Sequence, residues 1–100
     1  MEFAEFWKIL VKNLSDTKQF KSLSQTSEFQ AKYLGGRIHI TTQHSVWTIE
    51  RSEMQMIWNR ALVLDENLRF KHFSYGQETI RTISFVLALM RDFVGKDKME

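Results

Sequence analysis

Residues 28–42 read EFQAKYLGGRIHITT, and this stretch decides the fold. Phe29, Ala31 and Tyr33 alternate with Glu28, Gln30 and Lys32, the period of two expected of a strand that buries one face. Gly35 and Gly36 then offer the positive backbone angles that a tight hairpin turn needs, and Arg37 to Thr42 returns as the partner strand. The hairpin turns Phe29, Tyr33, Ile38 and Ile40 toward a core. Its other face carries Gln30, Lys32, Arg37, His39 and Thr41.

Upstream, Phe3, Phe6, Trp7, Leu10 and Leu14 fall on one stripe, which predicts a helix over 3–14 with Glu2 and Glu5 at the positive end of its dipole. Residues 15–27 are polar, with Phe20 and Leu23 as apolar anchors, and read as a loop holding at most one short strand. Downstream of a polar turn at 43–45, VWTIE reads as a further strand with Trp47 and Ile49 inward. Ser52 and Gln55 have the spacing of a capping box, so the second helix is expected to begin there, to bury Met54, Ile57, Trp58, Ala61 and Leu62, and to end near Leu64. A connection over 65–75 leads to a third helix from about Gly76 to Val94, closed by Gly95. The order is helix, three or four antiparallel strands, helix, helix (α-β-β-β-α-α in its shorter form). That is an α+β domain of two layers, an antiparallel sheet packed against three helices.

The 100 residues suffice for one core and not for two, so residues 1–100 are expected to form a single domain. The absence of cysteine excludes disulfides, thiolate metal sites and a cysteine nucleophile. The N-terminal MEFAEFWK lacks the basic residues and apolar run of an export signal, and the most apolar run, SFVLALM at 84–90, is far short of a membrane span. A cytoplasmic protein without a membrane partner is expected. The net charge of +2 says little by itself; the excess concentrates on 17–49, where Lys18, Lys21, Lys32 and Arg37 face only Glu28.

A search for chemistry finds none. The two glycines lack the longer pattern and the helix of a phosphate-binding loop, and His39, His44 and His72 do not have metal-ligand spacing. No serine sits in a glycine-flanked elbow, and the acidic pairs Glu50 with Glu53 and Asp65 with Glu66 lie at helix ends, where the dipole accounts for them. No metal, no cofactor and no catalytic residue are expected.

Two surfaces stand out for binding. In RFKHFSY, residues 69–75, the cations Arg69, Lys71 and His72 interleave with Phe70, Phe73 and Tyr75, the mixture that single-stranded nucleic acids meet through phosphate contact and base stacking. The plainer reading is that the rings pin a long connection while the cations stay in solvent. The second surface is the outer face of the hairpin, with Lys32, Arg37, His39 and Thr41. The sequence thus suggests a non-catalytic binding module for nucleic acid or a protein partner. The alternative is a small-molecule-binding protein or small enzyme with a site between sheet and helix that uses Tyr33, Arg37 or His39. The third helix adds Val86, Leu89 and Phe93 to its main stripe of Ile80, Ile83, Leu87, Met90 and Val94, and this second apolar group is expected to be covered by another copy in a homodimer.

The run from Glu5 to Leu14, then FQAKYLGGRIHITT, then TIERSEMQMIWNRAL, resembles small bacterial accessory proteins, including products of mobile integron gene cassettes. The shared features are an aromatic first helix with Trp, a central hairpin, and Ile-x-Arg leading into a helix that carries Trp. Met54 stands where that pattern has an aromatic residue. The resemblance implies a fold and an accessory gene, and carries no catalytic residue over.

Overall fold

The elements follow in the order α1 (Phe3–Asn13), β1 (Lys18–Lys21), β2 (Glu28–Leu34), β3 (Arg37–Thr41), β4 (Val46–Glu50), α2 (Arg51–Val63) and α3 (Ile80–Phe93), with short 3-10 turns at Glu66–Leu68 and His72–Tyr75. The computed structural model describes residues 1–75 and 80–95, and the side chains of all of these except 72, 73, 80 and 81. The expected start of the third helix at Gly76 lies outside the described residues.

The four strands form one antiparallel sheet in chain order. Gly35 and Gly36 both have positive φ, +63° and +81°, the pair of angles a two-residue turn needs if its twist is to match that of its strands. The register sets Ala31 opposite Ile40 and Tyr33 opposite Ile38, while β4 sets Ile49 opposite Ile38 and Trp47 opposite Ile40. The expected inward residues therefore share one face. The polar stretch after α1 does contain a strand, β1, whose Phe20 pairs with Phe29 of β2.

One face of this sheet is covered by helices. Phe3, Phe6 and Leu10 of α1, Met54, Ile57, Trp58 and Ala61 of α2, and Ile83 to Met90 along α3 close over Phe29, Ala31, Ile38, Ile40 and Ile49. Trp58, 1% exposed, stacks on Phe6 at 4.9 Å between ring centroids and meets Phe3 edge-on at 6.1 Å. Trp7 is only partly buried; its ring lies on the edge of this cluster against Tyr33.

Three expectations are corrected. The capping box does not form: α2 begins at Arg51, one residue early, because β4 runs straight into it. Glu50 occupies the cap position in an extended conformation, with no side-chain cap bond. Its carboxylate is turned to Arg37 instead. Leu62 is exposed rather than part of the α2 stripe. The third correction concerns α3. Val86 and Leu89 are 0% exposed within the single chain, and Phe93 packs its ring on Phe20 of β1. The helix is wrapped by its own molecule, touching α1, α2 and β1, so its second apolar group offers no surface for a second copy. Gly95, with φ of +84°, ends α3 as expected, and its N–H donates to the carbonyl of Met90 at 3.0 Å.

Candidate functional site

The outer face of the sheet brings together Lys32, Arg37, His39 and Thr41, with Lys32 directly opposite His39. Its electrostatics differ from the expectation. β4 adds Glu50 to the same face, and that carboxylate lies 3.3 Å from Nη2 of Arg37, both side chains being more than half exposed. Such a pair contributes little stability but cancels much of the arginine's long-range field. His39 Nε2 donates to the Leu34 carbonyl at 3.0 Å, which holds the imidazole against the hairpin. Phe20, Phe29, Tyr33 and Trp47 all lie on the inner side by register, so the strands present no Phe, Tyr or Trp ring on the outer face for base stacking. The same geometry separates Tyr33 from Arg37 and His39, which the sequence reading had grouped in one site; they occupy opposite faces of the sheet.

The 69–75 segment is likewise reassigned. Arg69 is 1% exposed, and its Nε donates to the carbonyl of Ala61 at 2.8 Å. That carbonyl belongs to the last turn of α2 and also accepts from the Leu64 N–H at 3.2 Å, so the arginine adds a second donor at the helix end from within the protein. The Tyr75 hydroxyl donates to the Arg69 carbonyl at 2.5 Å. Burial pushes the Tyr75 phenol up to about 12, with the charges of Arg69 and Arg60 working against that rise. Lys71 alone among the expected cations here is seen in solvent. The His72 side chain lies outside the described residues.

A cleft of about 820 Å³ opens at the end of the sheet opposite the hairpin turn, within the range of about 300–1,000 Å³ common for ligand sites. Its walls are the β1–β2 loop (Ser22, Thr26, Ser27), the β3–β4 turn (Thr42, Gln43, His44) and the α3 residues Ser84 and Phe85. Phe29 and Phe85 form its floor, edge to face at 5.2 Å. Two smaller depressions continue it. One of about 260 Å³ runs past Glu28 and Gln43 toward Gln30 and Thr41 on the outer face, and one of about 400 Å³ runs past Ser22 and Ser84 to Phe70 and Lys71.

Local chemistry shapes both loop walls. In the turn, Thr42 Oγ1 accepts from the Ser45 N–H at 2.9 Å and from the His44 N–H at 3.2 Å, a side-chain mimic of a backbone turn that fixes Gln43 and His44 at the rim. In the longer loop, Gln25 adopts a positive φ of 62° and Ser22 Oγ accepts from the Ser27 N–H. Arg91 of α3 holds this loop. Its Nη2 donates to the Lys21 carbonyl at 2.9 Å and its Nη1 to the Ser22 carbonyl at 3.1 Å, while Asp92 takes its Nε at 2.9 Å. Among the described residues, the side chains of Ser27, Gln43, His44 and Ser84 make no hydrogen bond, so the cleft presents unengaged donors and acceptors above an apolar floor.

Sequence reasoning passed over this site, reading 15–27 and 43–45 as ordinary polar connections. The signal was available in the hairpin itself. An antiparallel pair puts the residues before Glu28 and after Thr41 at the same end, so SLSQTS and TQHS had to face one another. Among the described residues no group of His, Asp and Glu could hold a metal ion, and no helix is long and apolar enough to cross a membrane. No protein-family model matches the chain, and comparisons with curated proteins and with solved structures give no match.

Proposed function

We propose that the protein is a non-catalytic binding module, the product of an accessory gene, and that its ligand is a small polar molecule held in the cleft between the open end of the sheet and α3. One observation carries the reading: Ser27, Gln43, His44 and Ser84 present unengaged polar groups in a cleft of ligand size floored by Phe29 and Phe85. The outer sheet face supports a nucleic acid less well. It lacks stacking rings, and Glu50 neutralises one of its cations.

A thermal-denaturation screen against small polar metabolites tests the proposal, because a ligand that binds only the folded state raises its stability by mass action. The wild type is expected to gain Tm with one ligand group, and Ser84→Leu, which fills the cleft from an already folded helix, is expected to lose that gain while keeping its own Tm. Oligonucleotide binding that falls with salt, disappears in Lys32→Glu/Arg37→Glu and survives Ser84→Leu would replace the cleft by the sheet face as the site. A screen without any Ser84-dependent gain also overturns the proposal.

A further inference from the structure

We infer that the ligand class of this cleft is a short neutral oligosaccharide; the inference rests on the reading of the cleft as a ligand seat. Three observations carry it together. The first is charge. Among the described residues that line the main cleft and its two continuations, the charged side chains are Glu28 and Lys71, one of each sign at separate ends, and Glu28 is already hydrogen-bonded by Gln19. Among the described residues, a phosphate, a carboxylate or an ammonium group placed in the centre would meet hydroxyl, amide and imidazole groups rather than a charged partner that offsets its desolvation.

The second observation is the mixture of donors and acceptors. The hydroxyls of Ser27 and Ser84 and the amide of Gln43 each donate and accept, and the His44 imidazole adds two ring nitrogens. A ligand ringed by hydroxyls matches such a lining, since each of its groups is also both donor and acceptor. A flat heteroaromatic ring fits less well. It needs a slot with parallel walls, and the Phe29 and Phe85 rings stand at 64° to each other, with Phe29 almost fully buried. The partly exposed Phe85 leaves apolar surface of the kind on which the C–H face of a sugar ring packs.

The third is shape. The depressions of about 260, 820 and 400 Å³ share Phe29, Thr42 and Gln43 at one junction and Ser22, Ser27 and Ser84 at the other, which makes a continuous groove rather than a closed pocket. A groove open at both ends suits a chain of rings entering from the outer sheet edge and leaving past Phe70.

Isothermal titration of the full chain tests the inference. The probes are di- and trisaccharides of glucose, galactose and N-acetylglucosamine, with glucose 6-phosphate, sialyllactose and adenosine as competing chemistries. The expected result is binding of at least one neutral saccharide that is tighter for the trisaccharide than for the disaccharide, changes less than twofold between 50 mM and about 500 mM salt as screening of an uncharged ligand requires, and is lost in Ser84→Leu. Gln43→Ala, at an exposed turn position where folding is not at risk, is expected to weaken it at least tenfold. Binding of glucose 6-phosphate, sialyllactose or adenosine that is lost in Ser84→Leu, without neutral-saccharide binding, overturns the ligand class and leaves the cleft as the seat. Absence of any Ser84-dependent binding overturns both.

Discussion

The two ends of the sheet are built from the same kinds of residue and come out differently. At the hairpin end Tyr33 lies against Trp7, and Phe3, Phe6 and Trp58 fill the space under the strands with rings in mutual contact. At the other end Phe20, Phe29, Phe85 and Phe93 also touch one another, yet two loops stand away from α3 and leave a cleft. The difference lies in the connections. Two glycines close one end with a turn too short to hold anything. At the other end six residues of loop and a four-residue turn, both rich in hydroxyls, set polar groups above the rings. Rings make a core where the backbone above them is short, and the floor of a site where it is long.

The largest effects are expected where side chains are fully covered. Leu89→Glu places an unpaired charge in a fully buried position and is expected to cost more than about 4 kcal/mol, unfolding the domain. A folded Leu89→Glu variant with lower mass in light scattering than the wild type would place a dimer interface on this helix after all. At the hairpin end, Trp58→Ala removes the ring on which Phe3 and Phe6 pack and is expected to cost about 3–5 kcal/mol by urea denaturation. A loss below about 1 kcal/mol would mean the ring stack does not carry the packing that this geometry assigns to it.

A smaller effect is expected at the open end, where one guanidinium holds the longer loop. Arg91→Ala is expected to cost about 2 kcal/mol. Its exchange signature is local: faster hydrogen exchange at Ser22 and Gln25, whose N–H groups bond within the loop, and unchanged protection in α2. Uniformly faster exchange across the sheet would make Arg91 part of the core rather than a brace of the cleft wall.

The smallest effect belongs to the connection between the ends. Tyr75 is held above its ordinary value, to about 12, so the folded protein keeps that proton where the unfolded chain, near 10, releases it. The stability it contributes is complete below about pH 10, and it is lost as pH rises through the folded value of about 12. Tyr75→Phe is expected to flatten the wild-type decline in that window; an unchanged decline would assign it to other groups.

Much of the fold was legible because periodicity is local. The alternation around Gly35–Gly36 and the stripes of the helices gave the sheet face, the order of layers and most core residues. Where reading failed, the deciding contact was distant in sequence or depended on a neighbour that local pattern does not name. Arg69 looks like a solvated cation beside aromatics until the end of α2, eight residues back, turns out to offer its guanidinium the Ala61 carbonyl. Arg37 looks unpaired until β4 brings Glu50 alongside. Val86 and Leu89 look uncovered until α3 is placed between α1, α2 and β1. The cleft was hidden for the same reason, being assembled from two loops and a helix that only the folded chain brings together.

The most direct test of the account is backbone-amide chemical-shift mapping of the folded protein, titrated in parallel with a neutral trisaccharide of N-acetylglucosamine, with glucose and galactose trisaccharides, and with a single-stranded oligonucleotide. A neutral trisaccharide is expected to shift Ser27, Gln43, His44, Ser84 and Phe85 in a saturable way while Lys32, His39 and Thr48 stay in place. Shifts centred on Lys32, His39 and Thr48 with the oligonucleotide, and none around the cleft with any saccharide, would contradict it.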